Sequence, residues 1–137
     1  MPANYSATVK TNRLNNVNDA INSKTYVAGT GTGSAGTLVI GTSALSGATG
    51  VLATVTLQNP AATVSGSVLT IAGVPIATTA TGTGTAALAE LRNNAGTVIV
   101  SGLTVGISGS GADVIISAVA VSTGQTIQLN SGTIAHS

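Results

Sequence analysis

Three acids (Asp19, Glu90, Asp113), four bases (Lys10, Arg13, Lys24, Arg92) and a single imidazole, His136, are all the groups this chain offers for acid–base chemistry. A hydrolytic triad needs a nucleophile, an imidazole and an orienting carboxylate within hydrogen-bond reach. His136 sits next to the last residue, on a terminus that is poorly ordered unless docked, so an exposed or interface-bonded polar role is expected for it. Glycoside hydrolysis needs two carboxylates across a cleft. Glu90 alternates with Arg92 on one strand face, which predicts a surface ion pair, and Asp113 follows Gly109-Ser110-Gly111-Ala112 and reads as a turn residue. Calcium and magnesium recruit several carboxylates, and the spacing offers no such cluster. Without cysteine there are no disulfides, thiolate nucleophiles or thiolate zinc sites. The expectation is a protein that is not an enzyme, with no catalytic, cofactor-binding or metal-ligating residue.

One motif imitates chemistry. Gly31, Gly33 and Gly36 match G-x-G-x-x-G, but the dinucleotide fingerprint needs a helix N-terminus after it to hold the pyrophosphate. Here Thr37-Leu38-Val39-Ile40 follows and reads as a strand, so the segment is expected to be a surface connection without a ligand. Thr-x-Thr pairs at Thr30/Thr32, Thr54/Thr56, Thr81/Thr83 and Thr83/Thr85 raise the possibility of an ice-matching face. Their irregular spacing favours the ordinary strand preference of threonine. Stacking of bases or sugars needs aromatic faces, and only Tyr5 and Tyr26 are present.

The elements that would position these residues divide the chain in three: a helical arm over residues 1–26, a Gly/Thr-rich connection over 27–36 and one β domain over 37–137. Ser6 is a suitable N-cap, and from Ala7 to Asn22 no Gly or Pro interrupts Leu14, Val17 and Ile21, which recur at helical spacing. The resulting apolar face is narrow, with Lys10 and Arg13 beside it, and the many asparagines are weak helix formers. The helix therefore needs packing to hold it. Leu14, Val17 and Ile21 are expected to lie on the chain's own sheet or on a neighbour, leaving Lys10 and Arg13 toward solvent or an acidic partner.

From Thr37 onward apolar residues alternate with Thr and Ser between Gly-rich turns. Strands are expected at Thr37–Ile40, Val51–Leu57 (closed by Asn59-Pro60), Val68–Ile71, Thr85–Arg92, Thr97–Leu103, Leu103–Ile107, Asp113–Val121, Thr126–Leu129 and Gly132–Ala135. Asn93-Asn94-Ala95-Gly96 reads as a hairpin turn. Roughly eight strands and one leading helix predict a mainly β fold, an antiparallel β-sandwich or jelly roll. A β-solenoid would show a fixed repeat, and none is found.

Only 5% of the residues are charged and 43% are hydrophobic, whereas about a quarter are charged in an ordinary soluble domain. That balance suits a building block covered by neighbours. A net charge of +1 argues against nucleic acid, which draws on clustered Lys and Arg. No apolar run approaches the roughly 20 residues of a membrane-spanning helix, so no membrane partner is expected. The opening residues lack the features of a secretory signal, so synthesis in a cytoplasm without export by that route is expected.

Several segments together resemble small structural proteins of tailed bacteriophage virions, the head-decoration, collar or fibre-associated kind. They are Tyr5 to Leu14, Gly36 to Ile40, Gly84-Thr85-Ala86-Ala87 through Arg92 to Thr97 and Val100-Ser101-Gly102, and the tail Gly124 to Ile127 with Ser131 to Ile134. The resemblance implies a non-enzymatic β subunit in the virion, assembled in a host cytoplasm and acting by adhesion. Its partners would be its own copies, as a ring or trimer, and the major capsid protein or other virion subunits. A tail, collar or fibre-associated protein is the alternative, and an ice-binding or surface-adhesion β protein the second.

Overall fold

Alternating apolar residues do produce a β protein. In the computed structural model, which describes residues 5–22, 34–58 and 61–135, one helix, α1 (Ala7–Ile21), precedes the strands. These are β1 (Thr37–Ser46), β2 (Thr49–Thr56), β3 (Ala62–Ser65), β4 (Val68–Ile71), β5 (Ile76–Thr79), β6 (Gly84–Thr85), β7 (Leu88–Arg92), β8 (Val98–Gly106), β9 (Val114–Ile116), β10 (Ala120–Val121) and β11 (Thr126–Ala135). The large sheet runs β2-β1-β7-β8-β9-β11-β4-β3, with β5 also paired to β11, while β10 and β6 form a separate ribbon. Lys24, Tyr26, Gly31, Gly33, the pair Thr30/Thr32, Asn59-Pro60 and His136 lie outside the described residues.

The sheet is mixed, which corrects the antiparallel expectation. β8 and β9 are parallel through Val105↔Val114 and Gly106↔Ile115, although parallel neighbours usually need a crossover of a dozen or more residues. Here the connection is short because Gly109 and Gly111 take φ of 86° and 78°. These left-handed conformations are open to glycine and strained for other residues, and they turn the chain back on itself within a few residues. Asp113 fixes the return. Its Oδ2 accepts from Thr104 N at 3.1 Å and Thr104 Oγ1 at 3.2 Å, and its own amide donates to Thr104 Oγ1 at 3.0 Å.

Other boundaries move for equally local reasons. The two strands expected to meet at Leu103 are one, β8, because Gly102 (φ 74°) sits within the strand without ending it. β11 likewise runs through Ser131-Gly132, with a register shift between Leu129 and Ser131. Gly132 is a close-approach site: a Cβ there would lie 2.6 Å from Ile71 Cδ1. The stretches Thr85–Arg92 and Asp113–Val121 each divide in two, and β3 and β5, four residues each, carry too little alternation to be read in advance. The Asn93 turn forms between β7 and β8, with Asn93 Oδ1 accepting from the amides of Ala95 and Thr97, both at 3.0 Å.

The sheet curls around its apolar face. Thr81 N and Gly82 N donate to Leu52 O at 2.8 and 3.2 Å, and Thr78 Oγ1 donates to Thr54 O at 2.8 Å, so the segment around β5 covers the edge of β2. Inside lie Leu38, Ile40, Leu52, Val55, Leu91, Ile116, Ile127 and Leu129, none more than 1% exposed. Ala53, Val55 and Leu57 face inward as alternation predicts. Leu52 joins them because the β1–β2 register slips between Ile40 and Gly41 and gives β2 an extra residue, which leaves Val51 half-buried.

The far end of the β1–β2 hairpin does not project into solvent. At Gly41, where a Cβ would lie 2.6 Å from Leu45 Cδ1 and 2.7 Å from Gly50 O, the chain folds back over the outward face of β1 and β7. Arg92 Nη2 there donates to Gly47 O at 2.8 Å. Val39, outward by alternation, is accordingly only 2% exposed.

Candidate functional site

α1 begins where Ser6 Oγ accepts from Val9 N at 3.3 Å and ends at Asn22, its C-cap, one residue short of the expected helix. Leu14 is buried against Ala62 and Leu69, and Ile21 enters the main core. Val17 is half-buried and packs against both clusters. The helix thus packs on its own sheet. Lys10 is half-buried and Arg13 exposed, with the Arg13 guanidinium 3.8 Å from the centroid of the Tyr5 ring, a cation–π contact.

The asparagines that weaken the helix attach it. Asn18 Nδ2 donates to Ala62 O at 2.9 Å, Asn22 Oδ1 accepts from Ala61 N at 3.0 Å, and Asn22 Nδ2 donates to Asn18 Oδ1 at 3.1 Å. Spaced four apart on one helix face, the two carboxamides bond backbone groups at the start of β3. Thr11 Oγ1 bonds Gly66 O at the β3–β4 turn. Asn18, Asp19 and Asn22 are 7%, 1% and 0% exposed, so the buried face of α1 is wider and more polar than its apolar stripe indicates. An i, i+4 pair of asparagines is a visible signal, but its meaning depends on which backbone lies opposite. Asn22→Ala is expected to cost about 2 kcal/mol by leaving the Ala61 amide buried without its acceptor, while Lys10→Ala stays within about 0.5 kcal/mol. Urea titration followed by circular dichroism reads both.

The remaining ionisable groups do not converge. Glu90 and Arg92 form an ion pair, Nη2 to Oε1 at 2.6 Å and Nε to Oε1 at 3.1 Å. Their side chains are only 12% and 14% exposed, which corrects the expected surface pair. The cause is the folded-back hairpin above them. Asp113 is committed to Thr104 and is more than a plain turn residue. Among the described residues no three His, Cys, Asp or Glu side chains gather to hold a metal, no cavity opens, and no helix is long and apolar enough to cross a membrane.

Gly36, the last glycine of the nucleotide-like motif, is a packing residue. A Cβ there would lie 2.5 Å from Ile21 O and 2.6 Å from Arg92 O, and Gly36 O accepts from Leu57 N at 3.0 Å. It draws the helix end, β7 and the residue after β2 together.

A row of exposed polar side chains crosses the outward face opposite α1. Ala62, Val64, Leu69 and Ile134 turn toward the helix, so their neighbours in β3, β4 and β11 turn away from it. Thr63 pairs with Thr70, and Thr70 with Thr133. Thr133 N donates to Asp113 O at 3.0 Å, and Asp113 is bonded to Thr104. Thr63, Thr70, Thr133, Asp113 and Thr104 are all exposed and lie side by side across five neighbouring segments. At about 4.8 Å per step the row spans roughly 19 Å. The Thr-x-Thr pairs of the sequence do not supply it. Its members come from separate strands, and only their register assembles them. Searched against family models, curated proteins and solved structures, the chain matches none.

Proposed function

We propose that this chain is a non-enzymatic structural subunit of a phage virion, a capsid-decoration protein that stabilises the head through contacts with its own copies and with the major capsid protein. The observation that carries this reading is the outward hydroxyl row with its low charge. Burying an ion at an interface costs several kcal/mol unless it is paired, whereas a hydroxyl both donates and accepts and finds a partner on many surfaces. A subunit of this kind gives up little by being covered on several sides. Its work is mechanical: each copy buries surface against its neighbours and raises the work of pulling the shell apart. Closed symmetry is the usual arrangement of repeated subunits, and a trimer or ring seated on the shell is the form proposed. A β-sandwich or jelly-roll description of the subunit belongs to the same proposal, supported by the curled sheet with its enclosed apolar face.

Electron microscopy of particles containing the chain tests the reading. Regular density on the head lattice is the expected result. Density at the collar or tail would move the subunit to those structures, and absence from particles would overturn the proposal. The helix supplies a second test. With Ile21 in the core, Val17→Asp/Ile21→Asp is expected to abolish folding and attachment together. Lys10→Ala and Arg13→Ala reduce attachment only where they meet an acidic partner, read by co-sedimentation with shells.

A further inference from the structure

We infer that α1 is an edge guard: it closes the end of the large sheet at β3 against the addition of a strand from another copy of this chain. The inference does not depend on the virion reading.

A sheet that ends in an unpaired strand presents a row of N–H and C=O groups to other chains, and proteins blunt such edges with charged side chains, proline, bulges or a covering element. The large sheet ends at β2 and β3. Neither strand contains a charged residue or a proline, since a chain with 5% charged residues has few to place there. β3 also pairs with β4 without a register slip. Covering is the device left to it. At β2 the cover comes from the Thr78 hydroxyl on Thr54 O and from the Thr81 and Gly82 amides on Leu52 O. At β3, among the described residues, it comes from α1.

Register shows which groups need cover. Ala61 O accepts from Ala72 N at 2.9 Å, and Thr63 and Ser65 stand opposite Thr70 and Val68. Backbone groups alternate in direction along a paired strand, so Thr63 and Ser65 turn theirs to β4. Ala62 and Val64, between them, turn theirs to the open side. α1 meets that side with side chains that copy a strand, because a carboxamide carries the same N–H and C=O as a peptide group. Asn18 Nδ2 donates to Ala62 O at 2.9 Å, and Asn22 Oδ1 accepts from Ala61 N, just ahead of β3, at 3.0 Å. At the other end of the strand Thr11 Oγ1 bonds Gly66 O, so both ends of β3 are tied to the helix. Leu14, packed on Ala62 and Leu69, holds the helix over them. A helix that only buried an apolar stripe would need no amides at these positions.

The test loosens the guard and then blocks the edge. Asn18→Ala/Asn22→Ala in the full chain, shown by circular dichroism to be folded, is expected to raise the weight-average mass in light scattering to at least about twice that of wild type, the least that strand addition between copies gives. Val64→Pro in the same background is expected to restore the wild-type mass. Its missing N–H points to the open side, where a strand tolerates proline, and Thr63→Lys, a charge on the same edge strand, is expected to act alike. The blockers make the sign decisive. Association that came from unfolding would rise with the added strain of Val64→Pro, whereas strand addition falls. Where the double variant does not fold, Asn18→Leu, which removes the donor to Ala62 O and keeps the bulk, takes its place in the same comparison. A folded variant that keeps the wild-type mass would overturn the inference, as would association that neither Val64→Pro nor Thr63→Lys reduces. Val64→Pro alone is expected to leave the wild-type mass unchanged; a fall would show that the β3 edge is already in use between copies and would overturn the guard.

Discussion

Gly36→Ala will destabilise this protein by about 3 kcal/mol, at the upper end of overpacking costs, although the residue belongs to a stretch that reads as a flexible connection. The added methyl meets Ile21 O at 2.5 Å and Arg92 O at 2.6 Å. Both are backbone oxygens, one at the end of α1 and one at the end of β7, so neither swings aside as a long side chain does. Relief requires moving the helix end away from the sheet, which opens the core around Ile21, or giving up the bond from Leu57 N to Gly36 O. Gly96→Ala is the comparison. Gly96 has φ of 87° with nothing within 4 Å of a Cβ, so its cost is the left-handed penalty alone, about 1–2 kcal/mol. Denaturant titration of both variants separates crowding from conformation. Equal losses would show that the three segments at Gly36 part easily.

Arg92→Ala is expected to cost about 3 kcal/mol and to loosen the tip of the β1–β2 hairpin. The guanidinium holds Glu90 and the carbonyl of Gly47 at once. Its loss leaves a carboxylate that is 12% exposed without its cation, which is the costly way to break a covered pair. Removing both charges, as Glu90→Gln/Arg92→Met, should recover most of the loss, because the unpaired carboxylate goes with the cation. Hydrogen exchange distinguishes the two parts of the effect. Amides between Ala44 and Gly50 should exchange faster in both variants, since both lack the bond to Gly47, whereas global stability should fall strongly only in Arg92→Ala. Unchanged exchange at the tip would mean that Leu45, folded over Gly41, holds the hairpin by itself.

These two sites show where sequence reading stops. Glu90 and Arg92 two apart on a strand announce a same-face pair, since side chains alternate along a strand. Their burial comes from a hairpin folding back at Gly41, an event about fifty residues away in sequence. Gly36 announces flexibility in any scan for glycine, and its true constraint is two oxygens from distant elements. The asparagines of α1 read as a weakness of the helix until Ala61 and Ala62 are seen beside them.

Local order was legible because it depends on neighbours in the chain. The Ser6 cap, the helix carrying Leu14, Val17 and Ile21, the strand Val68–Ile71, the alternation through Val55 and the Asn93 turn follow from propensity, period and side-chain reach over a few residues. Strand direction and neighbourhood were not legible, because the same alternation serves a strand in any sheet position and either direction. Two left-handed glycines before Asp113 decided that β9 runs parallel to β8. Pairing register decided that Thr63, Thr70, Thr133, Asp113 and Thr104 share one row, for a shift of one residue would send each threonine to the opposite face. The amino-acid sequence alone determined a mainly β chain, poor in charge, with one leading helix. Tertiary structure decided which backbone groups that helix covers and which hydroxyls stand together, because both depend on contacts between residues far apart in the chain.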